Sequence, residues 1–113
     1  MTETATVVHV KICGVTSDDD ARACARAGAT AIGVNLVPTS PRRIDVSRAR
    51  SIARAVRDVD PRVLVVGVVA DLDVAAMLAL REEAELGCLQ LHGDEPPGAL
   101  VPLLPHAYKA VRV

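Results

Sequence analysis

Residues 63–70 read Val63-Leu64-Val65-Val66-Gly67-Val68-Val69-Ala70, an apolar run with no polar residue interleaved. A strand with one wet face alternates apolar and polar side chains, whereas an all-apolar run belongs in a sheet covered on both faces, the habit of parallel sheets. The run is eight residues long, far short of a membrane span, so it is read as a core strand. Pro61 separates it from an upstream stretch in which Val46, Ala49, Ile52, Ala53 and Val56 recur at helical spacing. Asp45 or Ser47 is placed to cap that helix, and Asp71 or Asp73 opens the next, where Val74, Met77 and Leu78 share a face.

The same alternation extends both ways. Upstream, Val7 to Cys13 is a β-branched run that stops at Gly14. Thr16 or Ser17 then caps a helix with Asp18, Asp19 and Asp20 in its first turn, where carboxylates favour the helix dipole. Ala21, Cys24, Ala25 and Gly28 follow at helical spacing, and a second strand, Ala31 to Val37, ends in the loop Pro38-Thr39-Ser40-Pro41. Downstream, Cys88 to Leu91 reads as a fourth strand ending at His92-Gly93-Asp94. A short helix around Pro97 to Leu104 and a fifth strand from Ala107 to Val113 complete the pattern. Repeated βα units imply parallel strands with right-handed crossovers. Doubly wound sheets and β/α barrels both meet that description, and the alternation alone does not choose between them.

Composition narrows the class. The 113 residues suffice for one domain, spanning 1–113, and half of them are apolar. With one Tyr, no Phe and no Trp, the core falls to Ala, Val, Leu and Ile. Thirteen basic against 14 acidic residues give a net charge of −1, which argues against nucleic acid or an anionic membrane as partner. Cys13, Cys24 and Cys88 are an odd, widely spaced set that fits neither a disulfide framework nor a zinc knuckle, and a reducing cytoplasm is expected. Met1 to Thr6 shows no apolar run of the signal-peptide kind.

The polar residues of interest fall at strand ends. Cys13 closes the first strand, Arg42 lies in the loop after the second, Asp71 follows the third, and Gln90 and His92 close the fourth. In a parallel sheet these points share the C-terminal rim, where such folds place their sites. Cys13 is either a small core filler or a reactive thiol. Lys11, two residues earlier, leaves the strand on the same side, and a neighbouring ammonium favours the thiolate. Cys24 and Cys88 read as structural. Arg42 and Arg43 are solvated loop charges or an anion site; Arg42, directly after Pro41, is preferred for binding because the proline stiffens its approach. Gln90 and His92, two apart, are expected to face the same way at the mouth of an apolar interior, although packing or capping is the commoner fate of such a histidine. Asp71 reads foremost as a helix N-cap. There is no phosphate-binding loop of the Walker or dinucleotide type.

Three motifs in order carry a resemblance. Lys11-Ile12-Cys13-Gly14-Val15-Thr16 is similar to the opening strand of phosphoribosylanthranilate isomerases, Ser40-Pro41-Arg42 to their second loop, and Gln90-Leu91-His92-Gly93-Asp94-Glu95 to their fourth strand and turn. Gly28 to Gly33, Val66-Gly67-Val68 and Lys109 to Val113 fit intervening positions, while Val34-Asn35-Leu36 stands where the family more often carries aromatic residues. The resemblance implies a TIM-type (β/α)8 barrel of which about the first five strands and four helices are present. It also implies an enzyme, an intramolecular oxidoreductase of the aldose–ketose type that works in tryptophan biosynthesis. Its Amadori rearrangement turns N-(5-phosphoribosyl)anthranilate into 1-(carboxyphenylamino)-1-deoxyribulose 5-phosphate without cofactor or metal. Cys13 matches the family's general base and Arg42 the group that engages the anthranilate carboxylate, with Gln90, His92 and Lys11 lining the pocket.

The family's general acid, an aspartate on the sixth strand, and its phosphate-gripping loops after the seventh and eighth have no counterpart in these 113 residues. A whole barrel needs about 200 residues, so the chain is expected to be a fragment, inactive by itself. The alternative from a different class is a non-catalytic half-barrel module. Open sheet edges are expected to make either one associate, with itself or with a complementing C-terminal half.

Overall fold

The structure, a computed structural model, describes residues 8–110. Five strands alternate with four helices: β1 (Lys11–Ile12), α1 (Asp18–Arg26), β2 (Ala31–Asn35), α2 (Val46–Val59), β3 (Leu64–Val69), α3 (Val74–Glu83), β4 (Cys88–Leu91), α4 (Pro97–Leu100) and β5 (Ala107–Lys109). A 3-10 turn, Val101–Leu103, extends α4. Val7 at the start of the expected first strand, and Val111 to Val113 at the end of the expected fifth, lie outside the described residues. Among the described residues no helix is long and apolar enough to cross a membrane.

Capping sets the helix starts. Ser17, Asp45 and Asp73 each accept a hydrogen bond from the backbone N–H three residues on, at 3.1, 2.7 and 2.7 Å, a contact typically worth about 1 kcal/mol. Asp71 is therefore not the cap of α3. It stands two residues earlier with φ of 57°, in the left-handed region that few non-glycine residues adopt. The ends of α1 and α3 also need that region, supplied by Gly28 at φ 102° and Glu85 at φ 56°. Glu85 adds a tie, since its carboxylate meets Arg54 at 2.7 Å and Arg57 at 3.1 Å on α2. Those two guanidiniums, Arg54 first, hold the Glu85 carboxyl below its ordinary range.

All five strands are parallel and lie side by side in chain order. A doubly wound sheet would reverse its strand order part-way; this one does not. Register assigns the two faces. Ile32, Val34, Val65, Val69, Leu89 and Leu91 point to one side and are buried with Ala21, Ala25, Ala49, Ile52, Ala53, Val56 and Met77 of the helices in one continuous core. Alanines on α1 and α2 let the helix backbones approach the branched strand residues closely. Lys11, Gly33, Val66, Val68, Gln90 and Tyr108 point to the other side.

That second face is concave. Lys11 on β1 donates hydrogen bonds to Gln90 Oε1 on β4 and, at 2.7 Å, to the Tyr108 hydroxyl on β5. On a flat sheet β1 and β5 would stand about 19 Å apart at normal strand spacing, beyond the reach of any lysine. The sheet must curve to bring them together. Unreversed order, helices on the convex side and a bonded chord across the concave side make this the first five strands of a β/α barrel.

Candidate active site at the C-terminal rim

The rim is built from the loops that leave β1 to β5. Cys13 follows directly on β1 and its thiol is exposed. Gly33, opposite it on β2, leaves room: a Cβ there would lie 3.7 Å from Cys13 Sγ and 3.4 Å from Lys11 Cε. Cys13 and Lys11 thus share the concave face, as their spacing requires. The Lys11 ammonium, however, is bonded to Gln90 and Tyr108 and sits 5.4 Å from the Tyr108 ring centroid. Its role in the structure is a strut across the floor. Cys88 differs from Cys13 in being buried, and burial pushes its thiol up. Cys24 is partly buried on α1.

The loop after β2 aims Arg42. Ser40 Oγ accepts from the Arg42 N–H at 3.2 Å, Ser40 O accepts from the Arg43 N–H at 3.1 Å, and Ile44 N–H donates to Asn35 O at 2.9 Å. Asn35 also pairs with Arg43 as an isolated bridge. This knits the loop onto the end of β2 and lays the Arg42 side chain across Gly14. A Cβ on Gly14 would meet Arg42 Cδ at 2.7 Å and Nη1 at 2.9 Å, and its φ of 73° independently favours glycine. The residue after the thiol is therefore bare of a side chain where the guanidinium passes. Among the described residues Arg42 has no carboxylate within ion-pair distance, so its five donors remain for a ligand.

Gln90 belongs to the floor, its Oε1 also accepting from the Tyr108 hydroxyl at 2.7 Å. His92 follows directly on β4, which ends at Leu91. Its N–H donates to Val69 O at 2.8 Å, continuing the β3–β4 ladder, and the residue lines a rim cleft of about 500 Å³ with Thr39, Asp71, Asp94 and Lys109. Contacts link Lys11 with Gln90 and bring Cys13, Gly14 and Arg42 together beside β1, while His92 lines the rim cleft.

Tyr108, Glu95 and Lys109 were not singled out from sequence. Tyr108 carried a weak signal as a hydroxyl in an apolar strand. Glu95 and Lys109 fell within the stretches that carry the resemblance but had no role assigned, because their importance comes from each other: Lys109 Nζ lies 2.6 Å from Glu95 Oε1.

Comparison with known proteins agrees with this architecture. The family model described as N-(5'phosphoribosyl)anthranilate (PRA) isomerase matches residues 10–113. The N-(5'-phosphoribosyl)anthranilate isomerase of Acidithiobacillus ferrooxidans is 43% identical over 91 residues, covering 80% of this chain and 43% of that protein. The solved phosphoribosyl anthranilate isomerase of Thermotoga maritima superposes with a TM-score of 0.86 at 34% identity, over 95% of this chain and 52% of that one. A further isomerase structure, holding reduced 1-(o-carboxyphenylamino)-1-deoxyribulose 5-phosphate, also gives 0.86 at 34% identity, over 95% of this chain and 55% of that one. The chain thus spans about half the length of the relatives it matches. With the matched segment covering every described strand and helix, the chain belongs to the N-(5'-phosphoribosyl)anthranilate isomerase family.

Proposed function

We propose that this chain is the N-terminal portion of a phosphoribosylanthranilate isomerase and supplies the base and the carboxylate-binding side of its active site. The observation that carries this is the placement of an exposed Cys13 thiol next to Gly14, with the Arg42 guanidinium laid over that glycine. The substrate is a small molecule, a phosphosugar joined to anthranilate, in keeping with the ligand held by one solved relative. Arg42 binds the anthranilate carboxylate. Once a general acid from the rest of the barrel has protonated the furanose oxygen, the sugar opens to an iminium. The iminium acidifies C2, and Cys13 takes that proton. A base of moderate strength suffices when it stands within hydrogen-bond reach. Gln90 and Lys11 form the floor below the sugar and His92 lines the mouth. The reaction calls on no metal or cofactor, and the three cysteines suit a reducing cytoplasm.

The test is a fluorescence assay for loss of N-(5-phosphoribosyl)anthranilate. It uses the chain alone and the chain co-expressed with the segment of the Thermotoga maritima isomerase that follows the matched region. Turnover in the paired sample that disappears with Cys13→Ala is the expected result. A folded, co-eluting pair with no turnover, or full turnover in Cys13→Ala, refutes the assignment.

A second reading has its own observation. Val10, next to β1, and Ile12, on its convex side, are 41% and 38% exposed, and β1 and β5 form the edges of the sheet. An apolar strip beside an open edge favours association, so the chain acts as a module that pairs with itself or with a complementing half-barrel. Size-exclusion chromatography should show more than a monomer; a compact monomer that unfolds cooperatively refutes it.

A further inference from the structure

Glu95 is the one charged residue buried among the described residues, its side chain 2% exposed. A lone carboxylate so placed would cost several kcal/mol and persists only when partnered. Its partners come from two other loops. Lys109 Nζ, at the end of β5, reaches Oε1 at 2.6 Å, and the Asp71 N–H, after β3, donates to Oε2 at 2.7 Å. The ring then closes on itself, because Lys109 also donates to Gly93 O and the Asp71 carboxylate accepts from the Asp94 N–H at 2.7 Å. Gly93 is part of the fit: a Cβ there would stand 2.5 Å from Asp71 Oδ1. Burial is the largest influence on the Glu95 carboxyl and pushes it up. The Lys109 ammonium and the Asp71 and Glu95 amides together outweigh burial and hold it below the ordinary range, so it is ionised at neutral pH.

The ring encloses residues 93–95, the segment that follows His92. Replacing a buried pair with apolar side chains is often neutral or stabilising, so stability alone is a poor reason for this arrangement. What it provides is position. We propose that Glu95 is a positioning residue for the isomerase reaction: through Lys109 and Asp71 it fixes the loop that carries His92, and so sets where the imidazole stands in the rim cleft. The role rests on the isomerase assignment above.

Glu95→Gln tests it, because a carboxamide offers one acceptor oxygen to two donors. In the chain itself, amide exchange followed by NMR should quicken about tenfold or more at Asp71 and Asp94, while strand amides such as those of Val66 and Leu89 keep parent rates. In the paired isomerase assay, kcat/KM should fall about 10- to 100-fold, chiefly through KM, with the melting profile still cooperative. A merely structural role would leave KM in the folded variant unchanged, and that result overturns the proposal. Unchanged exchange at Asp71 and Asp94 overturns it too. An inactive parent pair refutes the isomerase assignment first and takes this role with it, before any variant is compared. Should Glu95→Gln unfold, Glu95→Gln with Lys109→Met, which strands no charge, takes its place with the same expectations.

Discussion

Two loops at the same rim are held in opposite ways. The loop after β2 is fastened by neutral contacts, a serine hydroxyl and backbone amides, and carries its charge outward on Arg42. The loop after β4 turns its charge inward, spending Glu95 on Lys109 and Asp71. A group that must meet a ligand anion cannot also be satisfied by a protein carboxylate. A group that must hold a loop should be fully satisfied, because low dielectric rewards a complete network and penalises a partial one. The same residue chemistry, an ion at a strand end, therefore serves architecture in one loop and, under the proposed function, recognition in the other.

This contrast can be broken by measurement. The largest effect is expected from Glu95→Ala, which leaves Lys109 largely buried without its partner. It should cost about 3 kcal/mol, read as a lower urea midpoint. Gly93→Ala comes next, at about 1–3 kcal/mol, because the new methyl collides with the Asp71 carboxylate. Acidification gives a smaller and gradual loss. The folded Glu95 carboxyl lies below its ordinary value, so its contribution is complete above the normal carboxylate range and is lost as pH falls through the depressed folded value. Urea midpoints taken downward from neutral pH should fall more steeply in the parent than in Glu95→Gln. Arg42→Ala is expected to be the mildest for stability, within about 0.5 kcal/mol, while abolishing isomerase turnover in the paired assay. A large stability loss there would erase the distinction between the two loops.

Most of the framework was legible because it is local. The unbroken run around Val66 identified a strand buried on both faces, and Ser17, Asp45 and Asp73 stood among the caps expected from their positions before apolar periodic stretches. The choice between an open sheet and a barrel was not local. It depends on curvature, expressed by a contact between Lys11 and Tyr108, 97 residues apart. The resemblance anticipated it where periodicity did not. Asp71 was misplaced as a cap because two aspartates precede α3 and the sequence does not say which adopts the left-handed backbone. Strand parity located Gln90 on the face that carries Lys11 and Tyr108. The pairing of Glu95 and Lys109 was not legible: each alone resembles a solvated surface charge, and only the folded chain shows that Lys109 partners a buried Glu95.

Tyr108 has a practical consequence. It is the sole aromatic side chain in the chain, and its hydroxyl is tied to Lys11 and Gln90 on the floor of the concave face. All tyrosine emission and the aromatic near-ultraviolet dichroism of this protein therefore originate at that one place. A titration with any small anion can be followed there without attaching a dye, each spectral change reporting on the floor alone.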